Sequence, residues 1–188
     1  MRNDAFAWIL AAGMLGSTAA AQTPLVEWHE QVVPGACTLR FAVPGGWEVQ
    51  ARSQMHGAVE LNLAPGAGSR AKVLITGTVQ KGSSELKGTS DIKRAVRAMG
   101  EALLEGSVEK RLELEKLEGR SGAGFFYSLT DKRPELPEGD FRRMTQGIMP
   151  VGPLRLAVTV LSDQSGSAAQ KVAFDLLRTA DCEPAPAK

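Results

Sequence analysis

Residues 141–162, FRRMTQGIMPVGPLRLAVTVLS, read as two strands folded back on a tight turn. In the second half Leu154, Leu156, Val158 and Val160 alternate with Arg155, Ala157 and Thr159. A period of two places four branched aliphatics on one face of a sheet. Pro150-Val151-Gly152-Pro153 interrupts the run with two residues that lack a ladder donor, so the chain turns there. This hairpin is expected at the middle of the fold.

Upstream of it, residues 125–130 (FFYSLT) form another candidate strand, and 131–140 (DKRPELPEGD) have the composition of a loop. Residues 108–118 fit two patterns: Leu104, Val108 and Leu112 continue a helix, while Leu112 and Leu114 alternate as a strand. Gly106-Ser107 at the join favours ending the helix and a strand over 109–117. A helix comes before that: Ile92, Ala95, Val96, Met99 and Leu103 recur at helical spacing. Thr89, Ser90 or Asp91 is placed to cap its start and Gly106 to end it. Earlier still, residues 38–43, 47–50, 58–63 and 72–80 read as four strands. Pro44-Gly45-Gly46 and residues 65–69 turn between them. Downstream of the hairpin, Ala169, Val172, Ala173, Leu176, Leu177 and Ala180 mark the buried stripe of a second helix.

The order ββββ-α-ββββ-α, with short turns joining antiparallel neighbours, predicts an α+β domain. Its simplest packing is a three-layer α/β/α sandwich on a mainly antiparallel sheet; the alternative places both helices on one face. The domain is expected over residues 37–183. It is preceded by a loosely attached arm at 22–36 that Trp28 could dock, and followed by a disordered tail at 184–188.

Residues 1–21 have the layout of a cleaved export signal: Arg2 in the n-region, an apolar run at 6–15, and Ala19-Ala20-Ala21 before the cut. The run is too short to span a bilayer, and no Cys near the cut offers a lipid attachment point. A periplasmic or secreted location follows as an expectation. In such a compartment the two cysteines, Cys37 and Cys182, are expected to form one disulfide closing nearly the whole domain. A zinc site is disfavoured, because His29 and His56 stand at no ligand spacing to either Cys.

Charge excludes some function classes. With 22 Lys and Arg against 21 Asp and Glu, the chain lacks the dominant basic surface of a general nucleic-acid or anionic-membrane binder. Catalytic motifs are also missing. The glycine-rich residues 66–72 lack a Gly-Lys-Ser/Thr ending, and no helix pattern follows the glycines of 119–124. No Gly-x-Ser-x-Gly elbow occurs. His56 sits in a loop with no orienting partner in view, and Glu113 and Glu115 read as the wet face of a strand.

Residues 41–50, FAVPGGWEVQ, resemble the Phe-x-x-Pro-x-x-Trp opening of PsbP-like domains. The sequel is also similar: a hairpin, a linker, a central helix, the Leu-Glu-Gly-Arg-Ser-Gly turn at 117–122, a strand meander and a terminal helix. That superfamily includes the photosystem II extrinsic subunit, a Ran-binding nuclear factor and DcrB-like bacterial envelope proteins. The resemblance implies an α/β/α sandwich and a non-enzymatic binding or assembly role, with no catalytic set to carry over. The Cys37/Cys182 pair departs from the family pattern.

Two function classes stand at this point: an exported binding or assembly protein without catalysis or cofactor, and a hydrolase-type envelope enzyme with a loop-built site. A partner surface is expected in the 132–143 loop, where Lys132, Arg133, Arg142 and Arg143 bracket Glu135, Glu138 and Asp140 and could meet an acidic envelope protein. The solvated alternative is that these charges pair among themselves. The basic face of the first helix, around Lys93, Arg94 and Arg97, is a weaker candidate.

Overall fold

A computed structural model describes residues 25–54, 58–66, 70–80, 86, 88–163 and 167–184. The 141–162 stretch is a hairpin of β8 (Arg143–Val151) and β9 (Leu154–Ser162), turning at Gly152-Pro153. All four predicted aliphatics of β9 are buried. Gly152 adopts φ +54°, and a side chain there would also meet Cys182 Cβ at 2.9 Å. Both conditions require glycine.

Around this hairpin a seven-stranded antiparallel sheet assembles in the order β3-β4-β5-β9-β8-β7-β6, with β9 fourth. The remaining strands are β3 (Trp47–Gln54), β4 (Ala58–Pro65), β5 (Ala71–Val79), β6 (Glu115–Gly119) and β7 (Gly122–Thr130). A second antiparallel sheet, ordered β1-β2-β10, consists of β1 (Val26–Val33), β2 (Cys37–Pro44) and β10 (Asp181–Pro184). The two helices are α1 (Thr89–Glu101) and α2 (Ala168–Thr179). No helix among the described residues is long and apolar enough to cross a membrane.

The α/β/α sandwich is therefore not the architecture, nor does the alternative with both helices on one face hold. The large sheet is buried on one face by the small sheet together with α2. Leu39, Phe41 and Val43 of β2 and Ala173 and Leu177 of α2 share a core with Leu61, Ile75, Val158 and Phe126. On the opposite face α1 packs alone. Ile92 and Val96 join Phe125, Tyr127, Leu129 and Ile148 in a separate apolar cluster. Phe125 and Phe126 are successive residues and serve opposite layers, as the strand period requires. The error lies in the connections. The Gly45-Gly46 turn carries the chain from the small sheet to the large one instead of closing a hairpin between β2 and β3. The predicted arm at 22–36 contains β1, and Trp28 stays 55% exposed on it. The expected tail begins inside β10, whose last residue is Pro184; residues 185–188 lie outside the described residues.

The expected strand at 109–117 shrinks to β6. Residues 109–114 instead pass beneath α1, where Leu112 packs close to Gly100; a Cβ at Gly100 would lie 2.5 Å from Leu112 Cδ1. The Thr130 N–H, which a longer β6 would satisfy, is bound at 2.8 Å by the Glu109 carboxylate. At the start of α1 the cap differs from the expected set: Gly88 is the N-cap, and its N–H donates to Asp91 Oδ2 at 3.2 Å.

Cys37 and Cys182 form the expected disulfide, with Cα atoms 5.6 Å apart. It ties β2, the central strand of the small sheet, to its neighbour β10.

Candidate functional site

The 131–142 loop joins β7 to β8 and stands beside a single 3-10 turn, Leu104–Gly106, that follows α1. A bridge between Ser107 and Asp131, and a bond from Lys132 N–H to Gly106 O at 3.2 Å, hold loop and turn together. Between them lies a cleft of about 520 Å³. Leu129, Met144 and Leu161 of the sheet line it with Phe141 of the loop, and Leu103, 44% exposed, lines it from the end of α1. Its polar lining holds three cations, Lys72, Arg133 and Arg142, against two carboxylates, Asp131 and Asp140.

The four basic residues expected to meet a partner are all engaged within the chain. Arg133 pairs with Asp131 at 2.7 Å and with Asp140 at 2.9 Å. Its side chain and its own N–H hold the Asp131 carboxyl well below the usual range, at about 2. Arg142 donates to the carbonyls of Asp131 (3.2 Å), Arg133 and Pro134 (3.2 Å). The Lys132 ammonium donates to the Glu105 carbonyl. Arg143 turns away to the other side of the strand, with Nη1 3.3 Å from Thr130 Oγ1 and 3.9 Å from Glu109 Oε1.

These contacts divide the set by role. Arg133 is neutralised by two carboxylates and acts as the loop's internal strut. Arg142 staples the loop through carbonyls, so its charge stays on the cleft's rim. Lys72 lies at the end of β5 with its Nζ 5.9 Å from the Phe141 ring centre, and Arg70 stands over the same ring at 5.5 Å. Arg70 also donates to Asp140 O at 2.7 Å. The cleft thus combines an apolar floor with a net positive rim, the arrangement of a binding site with few polar anchors.

A second cleft, about 530 Å³, opens where residues 109–114 leave the edge of β7. Its charges cancel: Glu109, Glu113 and Glu115 face Lys110, Arg111 and Arg143. Burial raises the Glu109 pKa, but hydrogen bonds from Thr130 N–H and Oγ1 outweigh it, so this carboxyl titrates below its ordinary value. Ser128 Oγ lies 2.7 Å from Thr145 Oγ1, so each hydroxyl meets the other and not a general base. His29 stacks on Phe41, with ring centres 5.5 Å apart. His56 and residues 67–69 of the glycine-rich turn lie outside the described residues. On α1, Arg94 bonds Asp91 at 2.6 Å and Lys93 Nζ sits 5.7 Å from the Phe125 ring centre.

Lys72, Leu103, Met144 and Leu161 were not singled out as site residues by the sequence. One visible signal was Leu103, the last apolar residue of the α1 pattern, beyond the helix's own end. No protein-family model matches the chain, and no curated protein matches it.

Proposed function

We propose that this is an exported, non-catalytic binding or assembly protein. It takes an extended segment of another exported protein in the cleft between the 131–142 loop and the end of α1. The observation that carries the reading is the pairing of an apolar floor (Leu129, Met144, Leu161, Phe141) with two rim cations, Lys72 and Arg142, that form no direct ion pair among the described residues. Such a site selects an apolar side chain flanked by an acidic one. The disulfide supports export, because such bridges persist in oxidising compartments, and the 1–21 signal pattern points the same way. The loop's internal struts leave its shape largely preformed, which lowers the ordering cost of binding.

The test uses the exported protein with its disulfide intact, immobilised and exposed to envelope extract under chemical cross-linking. The variant combines Lys72→Glu with Leu103→Asp, two exposed positions whose change leaves the core alone. The wild type is expected to retain proteins that the variant loses at an unchanged melting temperature. Identical sets of cross-linked proteins overturn the reading.

A further inference from the structure

The four strands at the sheet margins are protected unequally. At one end of the large sheet β3 presents Glu48, Gln50, Arg52 and Gln54, all exposed. At the other end β6 is five residues long and carries the Lys116–Glu118 pair. In the small sheet β10 is four residues long and stops at Pro184. Charge, brevity and proline are the usual devices against edge pairing. On the other margin of the small sheet, β1 is neither short nor interrupted by proline, and its charges are Glu27 and Glu30. It is eight residues long and pairs with β2 in unbroken register, with no Lys, Arg or Pro.

Its free side can be read from the bonds on its paired side. Leu25 O accepts from Gly45 N–H, and Val33 O from Ala36 N–H, so the main-chain groups of odd-numbered residues face β2. Those of Val26, Trp28 and Glu30 therefore point away from it. Val32 also points away, and Ser53 Oγ of β3 donates to its carbonyl at 2.5 Å. Among the described residues the open stretch is thus 26–30. Around it Leu25, Val26, Trp28 and Val32 are exposed at 82%, 51%, 55% and 60%. The one charge on this outer row, Glu30, shares Arg40 with Glu183: Arg40 Nε lies 3.0 Å from Glu30 Oε1 and Nη1 lies 2.5 Å from Glu183 Oε1.

From this we infer that the 26–30 edge pairs antiparallel with the same edge of a second copy, in the register that sets Trp28 opposite Trp28. Parity selects that register. Only even residues carry free main-chain groups, and centring on Trp28 uses Val26, Trp28 and Glu30 while leaving Val32 to Ser53. It also keeps like charges apart: Glu27 of each copy then stands across from His29 of the other, and Glu30 across from Val26, so no carboxylate faces a carboxylate across the two-fold axis. Because the same residues contact one another, the interface closes at two chains. The result is one six-stranded sheet built from two three-stranded ones. The contact is short, and interfaces below about 1,200 Å² are transient, so the dimer forms and dissociates with concentration.

Sedimentation equilibrium of the exported, disulfide-intact chain over a wide concentration range tests this. The wild type is expected to pass from monomer to dimer. Trp28→Lys keeps the backbone and puts a cation at the centre of the edge, where the two copies would meet. Trp28→Pro removes an N–H that β2 does not use. Each is expected to weaken dimerisation at least tenfold, with the melting temperature of Trp28→Lys confirming the fold. A wild type that stays monomeric throughout, or a dimer that survives Trp28→Lys, overturns the inference.

Discussion

Leu61, Ile75, Val158 and Phe126 form one row across the large sheet, sealed under β2 and α2. One residue further along the same strands, the row Gln50, Asn62, Leu74, Thr159, Gln146 and Tyr127 lies on the other face, where α1 covers β7 and β8 only. The first row is closed by hydrocarbon from two layers. The second is held where α1 reaches it by a hydrogen-bond chain: Tyr127 OH donates to Gln146 Oε1, and Gln146 Nε2 donates to Thr159 Oγ1 at 3.1 Å. Beyond α1 it is open, with Leu74 37% exposed. The difference separates two tasks. Stability resides in the sealed face, and the cleft with its charged rim belongs to the face left partly uncovered.

The sharpest way to break this comparison is one substitution on each face. Leu156 is fully buried in the sealed core. An aspartate there leaves a charge without a partner, a cost of about 5 kcal/mol or more, comparable with the whole stability of a domain. Leu156→Asp is expected to abolish the folded state. Lys93 on α1 contributes only its place over Phe125, about 0.5–1 kcal/mol for an exposed cation on a ring. Lys93→Asp is expected to melt close to the wild type. Matching thermal midpoints for the two variants would remove the distinction between the faces.

A smaller effect is expected from the cross-link that closes the sealed side. The disulfide spans 145 residues, for which the chain-entropy account gives about 5 kcal/mol as an upper value. Measured bridges of this kind contribute about 2–4 kcal/mol. Replacing Cys37 and Cys182 together by Ser is expected to lower the stability by that order and to steepen the denaturant slope, because the unfolded chain loses its cross-link and exposes more surface. Thiol labelling of unreduced, denatured wild type is expected to find no free thiol. A double variant as stable as the wild type would show that β10 is held by its ladder alone.

How far these faces were legible depends on periodicity. β9 and both helices announce themselves because their apolar residues recur at the period of their own element and are buried on the side so marked. β1 reverses the signal. Its apolar Val26, Trp28 and Val32 are exposed, while polar His29 and Gln31 are half-buried beside them. No reading of apolar-in, polar-out could recover it. Residues 109–114 mislead in another way, since Leu112 and Leu114 alternate like a strand but are satisfied by packing with the α1 cluster. Nor does the sequence say that a two-glycine turn changes sheets, and that turn decides between a helical and a β second layer. At the cleft, composition marked the loop. Its floor comes from β7, β8, β9 and the end of α1, which no local pattern connects.

The smallest effect concerns the rim. If the uncovered face is shaped by charge and the sealed one by burial, acid should loosen the first while the second is unmoved. Asp131 makes the test specific. Its carboxylate accepts from Arg133 N–H at 2.8 Å, from Arg133 Nε at 3.0 Å and from Nη2 at 2.7 Å. These bonds bring its pKa down from 3.8 to about 2. A carboxyl whose folded value is depressed contributes to the fold above its ordinary range and loses that contribution as pH falls through the folded value. The Arg133 amide resonance should therefore titrate with a midpoint near 2. The Leu156 amide, in the sealed core, should not follow it. In Asp131→Asn the step should vanish with little change in melting temperature, because exposed ion pairs contribute little to stability. A midpoint near 3.8, the ordinary value, would mean that Arg133 does not hold the loop in solution. The cleft would then lose its preformed wall, and with it the reason to assign binding to this face.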